Sequence, residues 1–440
     1  MTQKLLIAAR WVVPVEPAGA VLADHAVAVR DGRILAVCPR AEGEARFADF
    51  ARIDLPAHAL IPGLVNAHTH AAMTLLRGVA DDLPLMRWLT EHIWPIEAKH
   101  VSPQFVRDGT LVACAEMLRG GITCFNDMYF FPEAALEAAL AAGMRAALGI
   151  IAVEFPSAYA ADPEDYLAKG LALRDRWRDH PLVSFCFAPH APYTVSDATF
   201  RRLATLAGEI EIPVHIHLHE TAEEVERSVA EHGVRPLERL RRAGLLGPGL
   251  LAVHAVHLAP AEIESLARHG AKVVHCPSSN LKLASGFAPV AKLARAGVEV
   301  ALGTDGAASN NRLDLFEEMR LAALLAKAVA GDTEAMPAHA ALRAATLAGA
   351  TALGLEARIG SIVPGKEADL VAVRMDDLHM QPCYDPVSHL VYVASRQQVS
   401  HVWVAGRALV ADGELQNDAF AGLDSRIKLW QNALGARPPR

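Results

Sequence analysis

Histidines and acids able to hold a metal ion recur along this chain at the ends of apolar runs. His68-Thr69-His70 follows PGLVNA, His217 and Glu220 fall within VHIHLHE, His254 closes LLAVH, and Asp305 follows VEVALGT. In extended backbone side chains alternate with period two, so His68 and His70 share a face. Two imidazoles on one face can bind a single ion, with ring nitrogens at about 2.0–2.1 Å. An isolated H-x-H is a weak signal in a chain with 20 histidines. Its place at a strand end, after Pro62-Gly63, strengthens it.

His215, His217 and His219 also share one face, so depth must separate them. A ligand has to lie near the mouth with the acid Glu220 just beyond it, which favours His217. His215 is then deeper and structural, while His219 either closes a turn or meets substrate. Asp305 could be a helix N-cap. It would equally complete a set of three histidines and one aspartate with an open position, as a catalytic metal requires. These N/O donors suit one Zn²⁺ per subunit, and Fe²⁺ and Mn²⁺ are compatible with them. Coordination brings the pKa of a bound water toward ~7. Glu220 beside it could accept and pass on a proton, with His254 polarising the nucleophile from the opposite side.

Such a site needs elements that bring distant segments to one point. Strand-like runs occur at 58–70, 121–128, 145–153, 182–193, 212–220, 250–258, 271–279 and 298–306. Helical patterns separate most of them, at 106–121, 132–144, 222–233 and 260–270. Eight strands with helical spacers predict an α/β fold, a (β/α)8 TIM-like barrel, whose C-terminal strand ends carry active sites. His68, His70, His190, His217, Glu220, His254, His275 and Asp305 all fall at such ends. No G-x-G-x-x-G opens a helix, which argues against a dinucleotide site. Both termini read as β. LLIAARWVV, a hairpin about Asp31-Gly32, and the runs 368–375 and 399–415 predict a small β-sandwich built from both ends. The expected organisation is 1–56 sandwich, 57–360 barrel, 361–420 sandwich, and a C-terminal helix and tail over 421–440.

A net charge of −8 with no run of like charges argues against nucleic acid or an anionic membrane as partner. Six scattered cysteines without C-x-x-C spacing indicate reduced thiols rather than a disulfide framework or a zinc knuckle. The N-terminal apolar run lacks a basic segment and a cleavage site, and no stretch approaches ~18 apolar residues. A cytoplasmic protein is expected.

The segments PGLVNAHTH, HLHET, AVHAVHL and GTDGAASNN resemble the metal-site strands of the amidohydrolase superfamily. The chain is more closely similar to its 5-methylthioadenosine/S-adenosylhomocysteine deaminases, over nearly the whole length. The likeness is carried by 74–100, APHAPYT (188–194), HCPSSNLKLASG (275–286), 303–319 and GSIVPGKEADLV (360–371). It implies zinc-dependent deamination of a purine nucleoside, with His68, His70, His217 and Asp305 as ligands. It makes Glu220 the proton shuttle, flanked by His254 and Asp305. It further implies Glu97 as the ribose-hydroxyl ligand, His190 as a purine or ribose contact, Trp88 as the adenine-packing aromatic and Ser309 as a ribose-side contact. The fourth strand end offers His190 and no lysine, which implies a mononuclear site. Members usually associate, implying a homo-oligomer, and WPIEAKHV and 378–393 are candidate interfaces.

One departure bears on substrate. Some members carry an arginine after the third strand, where this chain reads Leu148-Gly149-Ile150-Ile151-Ala152. Without a guanidinium a charged 5′ tail is disfavoured, so methylthioadenosine should be preferred, adenosine next, and S-adenosylhomocysteine last. The alternatives are another aminohydrolase of the superfamily, of guanine, cytosine or s-triazine type, and an inactive barrel acting as a binding protein.

Overall fold

A computed structural model describes residues 4–435. The last five residues of the expected tail, 436–440, and the first three of the chain lie outside the described residues.

Eight strands form the barrel sheet: Leu64–Thr69, Ile122–Asp127, Arg145–Ala152, Val183–Pro189, Val214–Leu218, Leu250–His254, Lys272–His275 and Val300–Leu302. Each pairs in parallel with its sequence neighbour. Their apolar side chains are buried on both faces, the pattern expected of a parallel sheet covered by helices. The first and eighth strands close the ring through backbone at the mouth. The His68 carbonyl accepts the N–H groups of Thr304 and Asp305, both at 3.1 Å. Gly303 permits this approach, because a Cβ there would sit 2.8 Å from His68 Cβ. Two future site residues are thus joined by the closure of the fold itself.

The predicted run 58–70 is not one strand. Ala51–Pro62 belongs to the terminal sheet and Leu64–Thr69 to the barrel. The break falls at Gly63, whose N–H is taken by the Asp369 carbonyl at 2.8 Å. A Cβ at Gly63 would lie 2.1 Å from Thr123 Oγ1, so only glycine fits. The run 271–279 is also cut short, because Pro277 starts a helix, Pro277–Lys282.

The terminal strands form one eight-stranded mixed sheet drawing on Lys4–Pro62 and Leu370–Leu415. The hairpin turns at Asp31-Gly32 with φ of 50° and 77°, as a two-residue turn demands. Alternation sets its two faces: Ile7 and Ala9 join one apolar cluster, while Leu6 and Ala8 join another beneath Phe47 and Phe50. Buried Arg145, opening the third barrel strand, donates to Glu367 at 2.6 Å and to Asp369 at 3.1 Å, pinning this sheet to the barrel. The expected C-terminal helix spans Leu423–Leu434. Among the described residues no helix is long and apolar enough to cross a membrane.

Candidate active site

The ligand atoms of His68, His70, His217 and Asp305 all lie within 4.8 Å of one another at the C-terminal end of the barrel. Asp305 Oδ1 is 3.2 Å from Nε2 of both His68 and His70, and His217 Nε2 is 3.2 Å from His68 Nε2. Every imidazole is anchored at its other nitrogen. His70 Nδ1–H donates to the Met128 carbonyl at 2.5 Å, and His217 Nδ1–H to the His190 carbonyl at 2.6 Å. His68 Nδ1 meets His215 Nε2 at 2.8 Å. These contacts turn Nε2 of each ring toward the centre, where a metal ion would displace the protons that His68 and His70 share with Asp305, the arrangement that orients metal-ligating histidines.

Burial pushes His68 down to about 4 and His217 well below the ordinary imidazole range, so both are neutral donors. Burial also opposes charge on His70, but pairing with Asp305 outweighs it and carries His70 to about 9. Burial would raise Asp305, yet hydrogen bonds from His68 and His70 hold its carboxyl well below the usual range. Asp305 caps no helix. It adopts φ +61°, takes the Gly306 N–H on Oδ1 at 2.8 Å, and takes Ser279 and Ser309 hydroxyls on Oδ2 at 2.6 and 2.7 Å. Three imidazoles and one carboxylate at this spacing fit a zinc ion.

The stripe on the fifth strand separates by depth. His215 is fully buried behind His68, and His217 reaches the cavity. His219 turns away at φ +55°, and its Nε2 accepts the Leu237 N–H at 3.1 Å. His275 closes the seventh strand outside the cavity wall.

A cavity of about 360 Å³ opens over the cluster. Glu220 and His254 enter its floor, with His254 Nε2 3.9 Å from Glu220 Oε2. Burial raises the Glu220 pKa, toward the range where a carboxyl can both accept and donate. His254 is held at Nδ1 by Asn280 Oδ1, 2.8 Å away. His190 lines the cavity with its ring 4.9 Å from that of His217, and burial drives it down to about 3. Glu97 faces the cavity from the helix Trp94–His100. Desolvation pushes it up to about 7, against a 2.6 Å hydrogen bond from the Tyr129 hydroxyl that lowers it. Trp88 lies on the same wall, two helical turns earlier, and Ser309 lines the floor with its hydroxyl committed to Asp305.

The ten residues given a role in the site by the sequence therefore border one cavity or its metal-ligand cluster, while His215, His219 and His275 do not line the cavity. Sequence reasoning missed Tyr129, Tyr193, Ser279 and Asn280. Tyr129 follows Asp127 at the second strand end, and Tyr193 follows His190, so position at a strand end was the available signal. Phe155 and Tyr159 complete the outer wall from a loop with no such signal.

A parallel barrel carrying an N/O metal cluster at its C-terminal mouth is the architecture of metal-dependent hydrolases. The amidohydrolase family model matches residues 59–409, and the chain belongs to that family. It is 50% identical over 429 residues to the 5-methylthioadenosine/S-adenosylhomocysteine deaminase of Teredinibacter turnerae, covering 98% of this chain and 97% of that one. With the protein of the same name from Syntrophobacter fumaroxidans it shares 47% over 411 residues, 93% and 94% of the two chains. The crystal structure of an adenosine deaminase from Xanthomonas campestris with bound zinc superposes with a TM-score of 0.96 at 53% identity, covering 99% of each chain.

Proposed function

We propose that the protein is a zinc-dependent deaminase of 6-aminopurine nucleosides, with 5′-methylthioadenosine as its preferred substrate. The carrying observation is that Glu220 and the His68, His70, His217, Asp305 cluster share one cavity with Glu97 on its wall. The names and the zinc of the relatives support the same reading.

Bound there by His68, His70, His217 and Asp305, zinc would supply Lewis-acid charge and lower the pKa of water. The remaining chemistry falls to the protein. Water adds to C6 of the purine, the proton of the new C6 hydroxyl passes to the amino group, and the C6–N bond breaks to release ammonia and the inosine analogue. Glu220, raised by burial, takes a proton from the water and delivers it to N1. His254, fixed at Nδ1 by Asn280, orients the attacking water from the other side. Glu97 accepts the ribose 2′- and 3′-hydroxyls. His190 contacts the nucleoside, Trp88 packs against the adenine, and Ser309 holds Asp305 on the ribose side. Enclosure by the wall keeps bulk water out while the ring is oriented.

The 5′ end sets preference. Among the described residues lining the cavity there is no lysine or arginine, while Ile151, Val153, Phe155 and Tyr159 supply an apolar wall. That suits a methylthio group and leaves an amino-acid carboxylate unpaired. We also read the protein as cytoplasmic, in keeping with six free cysteines. A homo-oligomer is supported by Leu378 and Tyr384, apolar side chains 93% and 90% exposed in one candidate interface segment.

An ammonia-release screen of the zinc-loaded enzyme tests the reading. The expected order of kcat/KM is methylthioadenosine, adenosine, S-adenosylhomocysteine, with free bases inert. A higher value for S-adenosylhomocysteine than for methylthioadenosine would overturn the specificity, and release from none of the nucleosides would overturn the activity.

A further inference from the structure

The turn that carries Glu220 is held by a second, buried carboxylate that takes no part in the chemistry above. Glu224 is 5% exposed, and its two oxygens accept separate backbone N–H groups, from His219 to Oε1 and from Glu220 to Oε2, each at 2.8 Å. His219 sits at φ +55°, a left-handed conformation that costs a side-chain-bearing residue energy and persists only when its surroundings impose it.

Ordinary helix capping does not require this arrangement. The helix Ala222–His232 has Thr221 as its N-cap, and the Thr221 hydroxyl already accepts the Glu224 N–H at 3.1 Å. A reciprocal cap would return the Glu224 carboxylate to the N–H of Thr221 itself. It lies against that N–H too, but its two 2.8 Å bonds reach one and two residues further back, to the acid and the residue before it. Both N–H groups are buried, so each needs an acceptor. The His219 ring is tied down by the Leu237 N–H and its carbonyl by the N–H groups of Val256 and His257, at 3.0 and 2.9 Å, so Glu224 is what holds the N–H side of the turn that points Glu220.

We propose that Glu224 is a positioning residue for the deamination, clamping the backbone of residues 219 and 220 so that Glu220 is presented to the purine ring edge. The inference rests on Glu220 being the proton shuttle. Glu224→Gln keeps size but offers one acceptor, so its amide meets one of the two N–H groups donor to donor. Glu224→Asp keeps two acceptors on an arm one methylene shorter, which cannot reach both.

The test measures kcat, KM and zinc content for Glu224→Gln, Glu224→Asp, Glu220→Gln and Thr221→Ala with methylthioadenosine. Glu224→Gln is expected to lose kcat about 30-fold, in line with an unpaired buried donor, with KM within about twofold and zinc retained. Glu224→Asp is expected to lose about fivefold in the same sense and decides the question if Glu224→Gln does not fold. Thr221→Ala, which removes the cap alone, is expected to lower the melting temperature and leave kcat within about twofold. Wild-type kcat in either Glu224 variant, or an equal loss of kcat in Thr221→Ala, would overturn the proposal. Wild-type kcat in Glu220→Gln would instead overturn the shuttle assignment beneath it.

Discussion

The floor and the wall of the cavity are built on different principles. Floor residues leave the ends of strands, and each is fixed twice, once by its place in the barrel backbone and once by a hydrogen bond to its side chain. His70 is held by Met128, His217 by the His190 carbonyl, His254 by Asn280, and Asp305 by Ser279 and Ser309. The wall comes from a short helix Leu85–Trp88, a π-helical turn Leu89–Ile93, the helix Trp94–His100 and the loop bearing Phe155. Its contacts are largely aromatic and less enclosed: Trp94 meets Phe155 at 6.2 Å, and Phe155 is 40% exposed. Rigid donors suit a metal and a proton relay, where small displacements are costly. A looser apolar wall suits choice among nucleosides that differ only at the 5′ end.

On this division, floor substitutions should cost turnover and wall substitutions should cost binding. The largest effect is expected for His217→Ala, which removes one of four donors. Zinc content should fall well below one per subunit and activity to background, checked by metal analysis beside the assay. Glu220→Gln should come next, lowering kcat by about 10²–10⁴-fold while keeping its zinc.

Tyr129→Phe probes the boundary between the two regions. It removes a hydrogen bond to Glu97 and should raise KM about tenfold with little change in kcat. It also has a pH signature. Glu97 is charged above about 7 and protonated below it, so ribose binding should weaken as pH falls through that value. The Tyr129 bond lowers this pKa, so the phenylalanine variant should move the acid limb of kcat/KM to higher pH. An unmoved limb would detach Glu97 from substrate binding. The smallest effect is expected for Phe155→Ala. It should raise KM roughly threefold for methylthioadenosine and less for adenosine, which has no methyl group to pack.

The same division governs what could be read in the sequence. Floor residues sit at strand ends, where H-x-H marks a face and a following acid marks depth, so spacing pointed to His68 and His70 and depth to His217, while Asp305 was legible only as the residue that completes their set. The wall lies on short helical turns where no periodicity marks which side chains face inward. Glu97 and Trp88 came only through family resemblance and Phe155, on a loop, not at all; Tyr129 and Tyr193 lie just past strand ends and were missed there. Depth along a strand was read for His215, and for His219 the turn was one of two readings; that it is the turn depends on Glu224 and Leu237, contacts that spacing does not encode. The division of 58–70 between two sheets likewise turns on Gly63 meeting Thr123, a tertiary contact.

A single zinc, held by four floor residues, should be required for deamination of methylthioadenosine. Zinc titrated back into chelator-treated enzyme, with ammonia release followed at each point, tests it most directly. Activity should rise linearly and stop at one zinc per subunit. A break at two zinc ions, or full activity before any is added, would contradict it.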